Sequence, residues 1–165
     1  MLLAAALGAC APVQTQAAPA GAPLNGVSVE VKSWGATLRK WSVDASGNVE
    51  HVKSEQIGSD RGHYNLLTRR LTLSPEQRSA LNAAVVQVET QLALPEGCEN
   101  MLTDGPYGTI TWNRGTEQKL PFSANCMKGR DYDLASAIFA ADELVDDASL
   151  ATQPVETKEV DLRGR

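Results

Sequence analysis

The residues best suited to chemistry lie in one short segment, residues 103–108, which reads Thr-Asp-Gly-Pro-Tyr-Gly. The segment sets one carboxylate, Asp104, and one aromatic ring, Tyr107, among residues that favour turns. One interpretation is a binding loop, with Tyr107 as a contact residue and Asp104 as a hydrogen-bond acceptor or base. The other is a tight turn leading into the next strand, in which Asp104 bonds to its own backbone and Tyr107 covers a hairpin.

Trp34 is a third candidate contact residue. Core packing is the default expectation for all three tryptophans of the chain. Trp34 stands beside Gly35 at the end of a strand-like segment, so it is the tryptophan that we most expect to be exposed, in contact with a protein or a glycan. Trp34, Asp104 and Tyr107 are therefore the candidate residues for a possible binding loop.

A second functional hypothesis is hydrolysis, in which Asp104 works with Glu96 or Glu99. Glycan hydrolysis uses two carboxylates at a defined separation, and the sequence does not fix the separation of these residues. The motifs of serine hydrolases, zinc proteases, P-loops and dinucleotide-binding folds do not occur in the sequence. We therefore favour a protein without catalytic residues, and a small hydrolase or glycan-processing enzyme is the alternative.

No metal site and no cofactor are predicted. His51 and His63 flank no ligand motif, and the cysteines lack the spacing of a zinc site. Four acidic residues of the second predicted helix are interpreted as a solvated face: Asp142, Glu143, Asp146 and Asp147.

The first ten residues have the composition of an export signal. Residues 1–9 are apolar or small and Cys10 follows directly, a run much shorter than the roughly 20 residues of a membrane-spanning helix. Residues 7–10, Leu-Gly-Ala-Cys, resemble the bacterial lipobox, which implies removal of residues 1–9 and a lipid on Cys10. By the same resemblance, alanine at position 11 implies an outer-membrane protein facing the periplasm. A plain signal peptide, with Cys10 a spare thiol, is the alternative.

Three segments follow the predicted signal peptide. Residues 10–26 hold the lipidated cysteine and an uncharged stretch rich in alanine and proline, typical of a flexible tether. Residues 27–150 suffice for one domain with a hydrophobic core. Residues 151–165 form a polar tail, either frayed or folded as a late edge strand.

The number of cysteines indicates a disulfide bond. If the lipobox accounts for Cys10, then Cys98 and Cys126 remain as an even pair in a compartment that permits disulfides. We predict a structural bridge between them, which would stabilise the fold by roughly 3–4 kcal/mol.

Residue periodicity predicts an α+β fold. Six segments have strand-like patterns: residues 27–31, 38–43, 48–53, 64–73, 109–113 and 118–123. A capping box from Ser74 to Gln77 starts a first helix, and apolar residues at helical spacing from Leu134 mark a second. We expect an antiparallel sheet built from two hairpin units, with two helices packed on one face.

Composition and charge argue against nucleic acid as a partner. Hydrophobic residues make up 42% of the chain and charged residues 21%, as in ordinary globular proteins. The formal net charge is -5, and no run of basic residues is longer than a pair such as Arg69 and Arg70. Since nucleic-acid binding requires clustered cations, we predict that the protein does not bind nucleic acid.

Two segments, the turn at residues 44–49 and the strand entry at residues 103–112, resemble a group of small bacterial lipoprotein domains of unknown function. The resemblance covers residues 27–149 and implies the element order β-β-β-α-β-β-α. It transfers no catalytic residue. We therefore expect a lipid-anchored, non-enzymatic binding or accessory domain whose partner is an envelope protein.

Overall fold

The computed structural model describes residues 22–59 and 62–162. The predicted signal peptide, the lipid attachment site at Cys10 and most of the predicted tether lie outside the described residues. No helix within these ranges is long and apolar enough to cross a membrane.

The described residues form nine strands and two helices. In chain order these are β1 (Gly26–Ser33), β2 (Ala36–Asp44), β3 (Asn48–Gln56), β4 (His63–Thr72), α1 (Pro75–Leu92), β5 (Glu99–Met101), β6 (Tyr107–Asn113), β7 (Glu117–Ser123), β8 (Cys126–Lys128), α2 (Arg130–Leu150) and β9 (Glu156–Asp161).

Seven strands form one antiparallel sheet in the order β7-β6-β1-β2-β3-β4-β9. Strands β1 to β4 follow one another as a meander, and the later hairpin β6–β7 joins it because β6 pairs with β1. Strands β5 and β8 pair with each other as a separate two-stranded sheet. The end of β1, the start of β2 and the start of β6 therefore meet at the same end of the sheet.

Both helices pack against one face of the large sheet, which confirms the predicted fold class. Val27, Val29 and Val31 alternate along β1, so their side chains project from the same face. Burial of each such aliphatic side chain contributes about 1.5–3 kcal/mol. The helices supply the other half of this core with Leu81, Val85, Val88, Leu134, Ile138, Ala141 and Val145.

The predicted start of α1 is confirmed in detail. The Ser74 hydroxyl accepts a hydrogen bond from the Gln77 backbone N–H at 3.2 Å, and the Gln77 side chain accepts one from the Ser74 N–H at 2.8 Å. This reciprocal pair satisfies two backbone donors that a helix start leaves open.

The observed element order is longer than the order implied by the resemblance. Four strands precede α1, in agreement with the four strand-like segments before Ser74, and three further strands, β5, β8 and β9, occur later in the chain. Strands β5 and β8 have only three residues each and are largely exposed, so no buried alternation marks them in the sequence. Of the two alternatives for the tail, the edge strand is observed, because β9 pairs with β4.

Candidate functional site

Trp34 lies in the turn between β1 and β2, in a backbone conformation that residues other than glycine rarely adopt. Its φ angle is +50° and that of Gly35 is +80°. The left-handed region costs roughly 1–2 kcal/mol for a residue with a Cβ. Trp34 is nevertheless 80% exposed, so burial of the indole does not compensate for this strain. Strained residues of this kind are concentrated at functional sites.

A hydrogen bond ties this turn to β6. The backbone N–H of Gly35 donates to the hydroxyl of Tyr107 at 3.1 Å. Lys32 of β1 pairs with Tyr107 in the sheet register, which brings the two segments side by side. The tyrosine hydroxyl therefore positions the turn that carries Trp34.

The loop between β5 and β6 forms a second wall beside the turn. Leu102 donates its N–H to the backbone oxygen of Asn125 at 2.6 Å, and Gly105 donates its N–H to the side-chain Oδ1 of Asn125 at 2.8 Å. A Cβ at Gly105 would lie 2.6 Å from the carbonyl oxygen of Ala124. Only glycine therefore permits this close approach.

A cysteine pair restrains the same wall. The sulfur atoms of Cys98 and Cys126 lie 2.02 Å apart, at disulfide distance, and this is the predicted pair. Met101 of β5 lies opposite Cys126 of β8 in the two-stranded sheet. Because Asn125 directly precedes Cys126, the bridge restrains the residue to which the loop is hydrogen-bonded.

The turn, the loop and Asn125 enclose an open cleft of about 190 Å³. Its lining consists of Ser33, Trp34, Thr103, Asp104, Gly105, Tyr107 and Asn125. The structure thus brings together the three residues that the sequence singled out for binding. Glu96 and Glu99 are exposed and do not belong to this lining.

Asp104 contributes the single carboxylate among the described residues that line the cleft. The side chain is exposed, and it makes no hydrogen bond or ion pair with any of the described residues. A turn in which Asp104 bonds to its own backbone is therefore not what the chain adopts. The carboxylate is left available to a ligand.

An apolar groove of about 340 Å³ adjoins the cleft. Its lining consists of Leu102, Ala124, Cys126, Met127, Tyr132, Ala135, Ser136 and Phe139. None of these side chains carries a charge, so the groove offers apolar contact without an ionic partner.

A second set of polar residues is buried between α2 and the sheet. Asp142 is fully buried; its carboxylate accepts hydrogen bonds from Arg39 Nε at 2.7 Å and from Trp41 Nε1 at 2.9 Å. One turn later, Asp146 accepts from Lys53 Nζ at 2.7 Å. The interpretation of these two aspartates as part of a solvated face was therefore wrong, because inward-facing cations of β2 and β3 lie opposite them.

Burial shifts the pKa values of two groups in this network, His51 and Asp142. It lowers the pKa of His51 to about 4, although Asp146, whose Oδ1 lies 3.2 Å from His51 Nε2, acts in the opposite direction. Burial also raises the pKa of the Asp142 carboxyl, against the effects of Arg39 and the Trp41 indole N–H. At neutral pH the histidine is therefore uncharged inside a cluster of fixed charges.

Sequence patterns did not indicate these contacts. Arg39, Trp41 and Val43 alternate along β2, and the polar Arg39 at an inward position was the available signal that the core carries charge there. Asn125 has no such signal, because its role depends on the loop that packs against it.

Among residues 22–59 and 62–162, no group of three or more histidines, cysteines and acidic residues is placed to hold a metal ion. Comparison of the chain with protein-family models, curated proteins and solved structures finds no match.

Proposed function

We propose that the protein is a lipid-anchored, non-enzymatic binding domain of the bacterial envelope. A lipid on Cys10 would hold it at the outer membrane, facing the periplasm, and the alanine- and proline-rich tether would separate the membrane from the domain. The cleft of Trp34, Asp104 and Tyr107 would bind an envelope protein. The resemblance of residues 7–10 to a lipobox supports the anchor.

One observation carries the proposal of binding. Trp34 comes from a segment distant from the one that carries Asp104 and Tyr107, and the three residues line one open cleft, in which Trp34 is 80% exposed at a positive φ angle. Exposed aromatic side chains in a concave site are typical contact residues of binding interfaces. The two-residue turn between the paired residues Ser33 and Ala36 accounts for the positive φ angle, but neither the turn nor core packing requires an exposed indole at this position.

The same lining favours binding over hydrolysis. A glycan hydrolase brings two carboxylates to one bond, and within residues 22–59 and 62–162 Asp104 is the one carboxylate that lines this cleft. Glu96 and Glu99 lie outside it. The hydrolase alternative thus gains no support from the geometry of the site.

Crosslinking in native envelopes, followed by purification, tests the binding role. We expect Trp34→Ala and Tyr107→Ala to lose crosslinked protein partners that the unaltered chain retains. Leu150→Ala is the matched control, because Leu150 is an exposed hydrophobic residue (61%) outside the linings of both the cleft and the apolar groove. Retention of every partner by both cleft variants would contradict the proposal.

Membrane fractionation tests the anchor separately. Replacement of Cys10 by serine removes the thiol that would receive the lipid, so we expect the Cys10→Ser chain to appear in the soluble fraction of the envelope. Unchanged association with membranes would contradict a lipid anchor at this residue.

A further inference from the structure

The described lining of the cleft contains a negative charge and no positive charge. Asp104 is the one charged residue of its lining, and the carboxylate has no cationic partner among the described residues. The aromatic rings of Trp34 and Tyr107 belong to the same lining. Because the faces of aromatic rings carry negative electrostatic potential, rings and carboxylate attract the same kind of group, a cation.

The hydrogen-bonding groups of the cleft point to a ligand rich in donors. Ser33 and Thr103 add hydroxyl oxygens that can accept hydrogen bonds, beside the two oxygens of Asp104. An arginine guanidinium has five N–H donors and no acceptor. It also stacks on aromatic faces and pairs with a carboxylate through two parallel hydrogen bonds.

The size of the cleft suits one side chain of a partner protein. Its volume of about 190 Å³ lies below the roughly 300–1,000 Å³ that is usual for small-molecule pockets. A single anchoring side chain of a partner protein fits this scale. The formal net charge of -5 also favours a cationic partner over an anionic one.

We propose that the cleft binds an arginine side chain presented by a partner protein, with its guanidinium stacked on Trp34 and paired with the Asp104 carboxylate. This inference rests on the proposed function, since it names the chemistry of the partner at the same site. A lysine ammonium has the same charge, but it lacks the planar group that stacks on an indole and pairs with both carboxylate oxygens.

The three indole N–H signals of the protein provide the measurement. Trp41 and Trp112 are buried, and their indoles donate to Asp142 and Glu89, whereas Trp34 is exposed. In nitrogen-15 NMR of the full-length Cys10→Ser chain, Trp34→Phe identifies the Trp34 signal. Titration with the capped tripeptide Gly-Arg-Gly is expected to shift this signal and to leave the other two unchanged.

A matched peptide and a matched variant isolate the charge. The tripeptide with citrulline in place of arginine keeps the shape and loses the charge, so we expect it to bind about tenfold more weakly. Asp104→Asn is expected to weaken the binding of the arginine peptide by a similar factor and to leave the affinity for the citrulline peptide unchanged. Glu96→Gln removes an exposed carboxylate outside the cleft, and we expect it to change neither affinity.

Several results would overturn the arginine inference. These are equal binding of the two peptides, an unchanged affinity in Asp104→Asn, or no shift of the Trp34 signal up to the solubility limit of the peptide. A shift with the trimer of N-acetylglucosamine, without one for the arginine peptide, would assign the cleft to a sugar. If Trp34→Ala still lost its envelope partners in any of these cases, the proposed function would stand and only the arginine inference would fail.

Discussion

The buried network around Asp142 and the open cleft around Asp104 use similar residue types in opposite ways. Both contain an aspartate and a tryptophan. In the network the Trp41 indole donates to Asp142, and Arg39 neutralises the same carboxylate. In the cleft Trp34 is exposed and Asp104 has no partner among the described residues.

This difference separates groups that stabilise the fold from groups that are free to bind. A buried charge requires compensation inside the protein, because its removal from water costs several kcal/mol. An exposed carboxylate is solvated and needs no internal partner. We therefore expect changes in the network to alter stability and changes in the cleft to alter binding.

The largest stability effect is expected at Asp142. Its replacement by alanine leaves the buried Trp41 indole N–H and the partly buried Arg39 guanidinium without their acceptor, so we expect a loss of about 3–5 kcal/mol in the free energy of unfolding. Urea denaturation measures this loss. Glu143→Ala, at an exposed position on the same helix, should stay within about 0.5 kcal/mol. Equal effects of the two variants would contradict the role given to the network.

Loss of the Cys98–Cys126 bridge should lower both the stability of the fold and partner binding at the cleft. The bridge spans a sequence separation of 28 residues, for which chain entropy predicts a stabilisation of about 3–4 kcal/mol. The double variant Cys98→Ala, Cys126→Ala should lose this amount in denaturant titrations. Because the bridge also restrains Asn125 at the cleft, we expect weaker partner binding even where the variant is fully folded. Unchanged binding would show that the cleft wall is held without the bridge.

Acid should weaken the network through His51. The pKa of His51 is about 4 in the folded protein, below its ordinary value of 6.5. As the pH falls below 6.5, the unfolded chain binds a proton before the folded protein does, so stability is lost progressively down to about pH 4, by up to about 3 kcal/mol. Arg39, Lys53 and Arg69 act in the same direction as burial.

Denaturation at a series of pH values measures this loss. His51→Gln removes the titrating ring, so its stability should decline less steeply than that of the unaltered protein between pH 6.5 and pH 4. Asp142, whose raised pKa favours the folded state as the pH falls, is present in both chains and cancels in the comparison. Parallel pH profiles would contradict a proton-sensitive His51.

The smallest stability effect is expected at Trp34. Glycine relieves the strain of the positive φ angle but makes the unfolded chain more flexible, so Trp34→Gly should change the free energy of unfolding by no more than about 1 kcal/mol. Partner binding should nevertheless be lost. A large loss of stability would place Trp34 with the structural residues and remove the contrast between the two regions.

Much of the fold could be predicted from local sequence. The capping box at Ser74, the helical spacing from Leu134 and the alternation in β1 each depend on residues close in the chain, and each is found in the structure. The short strands β5 and β8 could not be predicted, because three exposed residues do not provide a hydrophobic pattern.

The candidate site was only partly predictable. Turn-forming residues and an aromatic ring at a strand end indicated Trp34, Asp104 and Tyr107 as separate candidates. Their common cleft, and the role of Asn125 in its wall, depend on the pairing of β1 with β6 and on the close packing of Gly105 against Ala124. Local sequence does not specify contacts across such distances.

Local sequence sufficed to predict both helices and the six longer strands, and the count of cysteines sufficed to predict the pairing of Cys98 with Cys126. The folded arrangement was needed to show which charges are buried and which are exposed. Arg39 and Asp142 are 103 positions apart, and Gly35 and Tyr107 are 72 apart. The physical reason is that the protonation and availability of a polar side chain depend on its surroundings in space, which packing of distant segments creates.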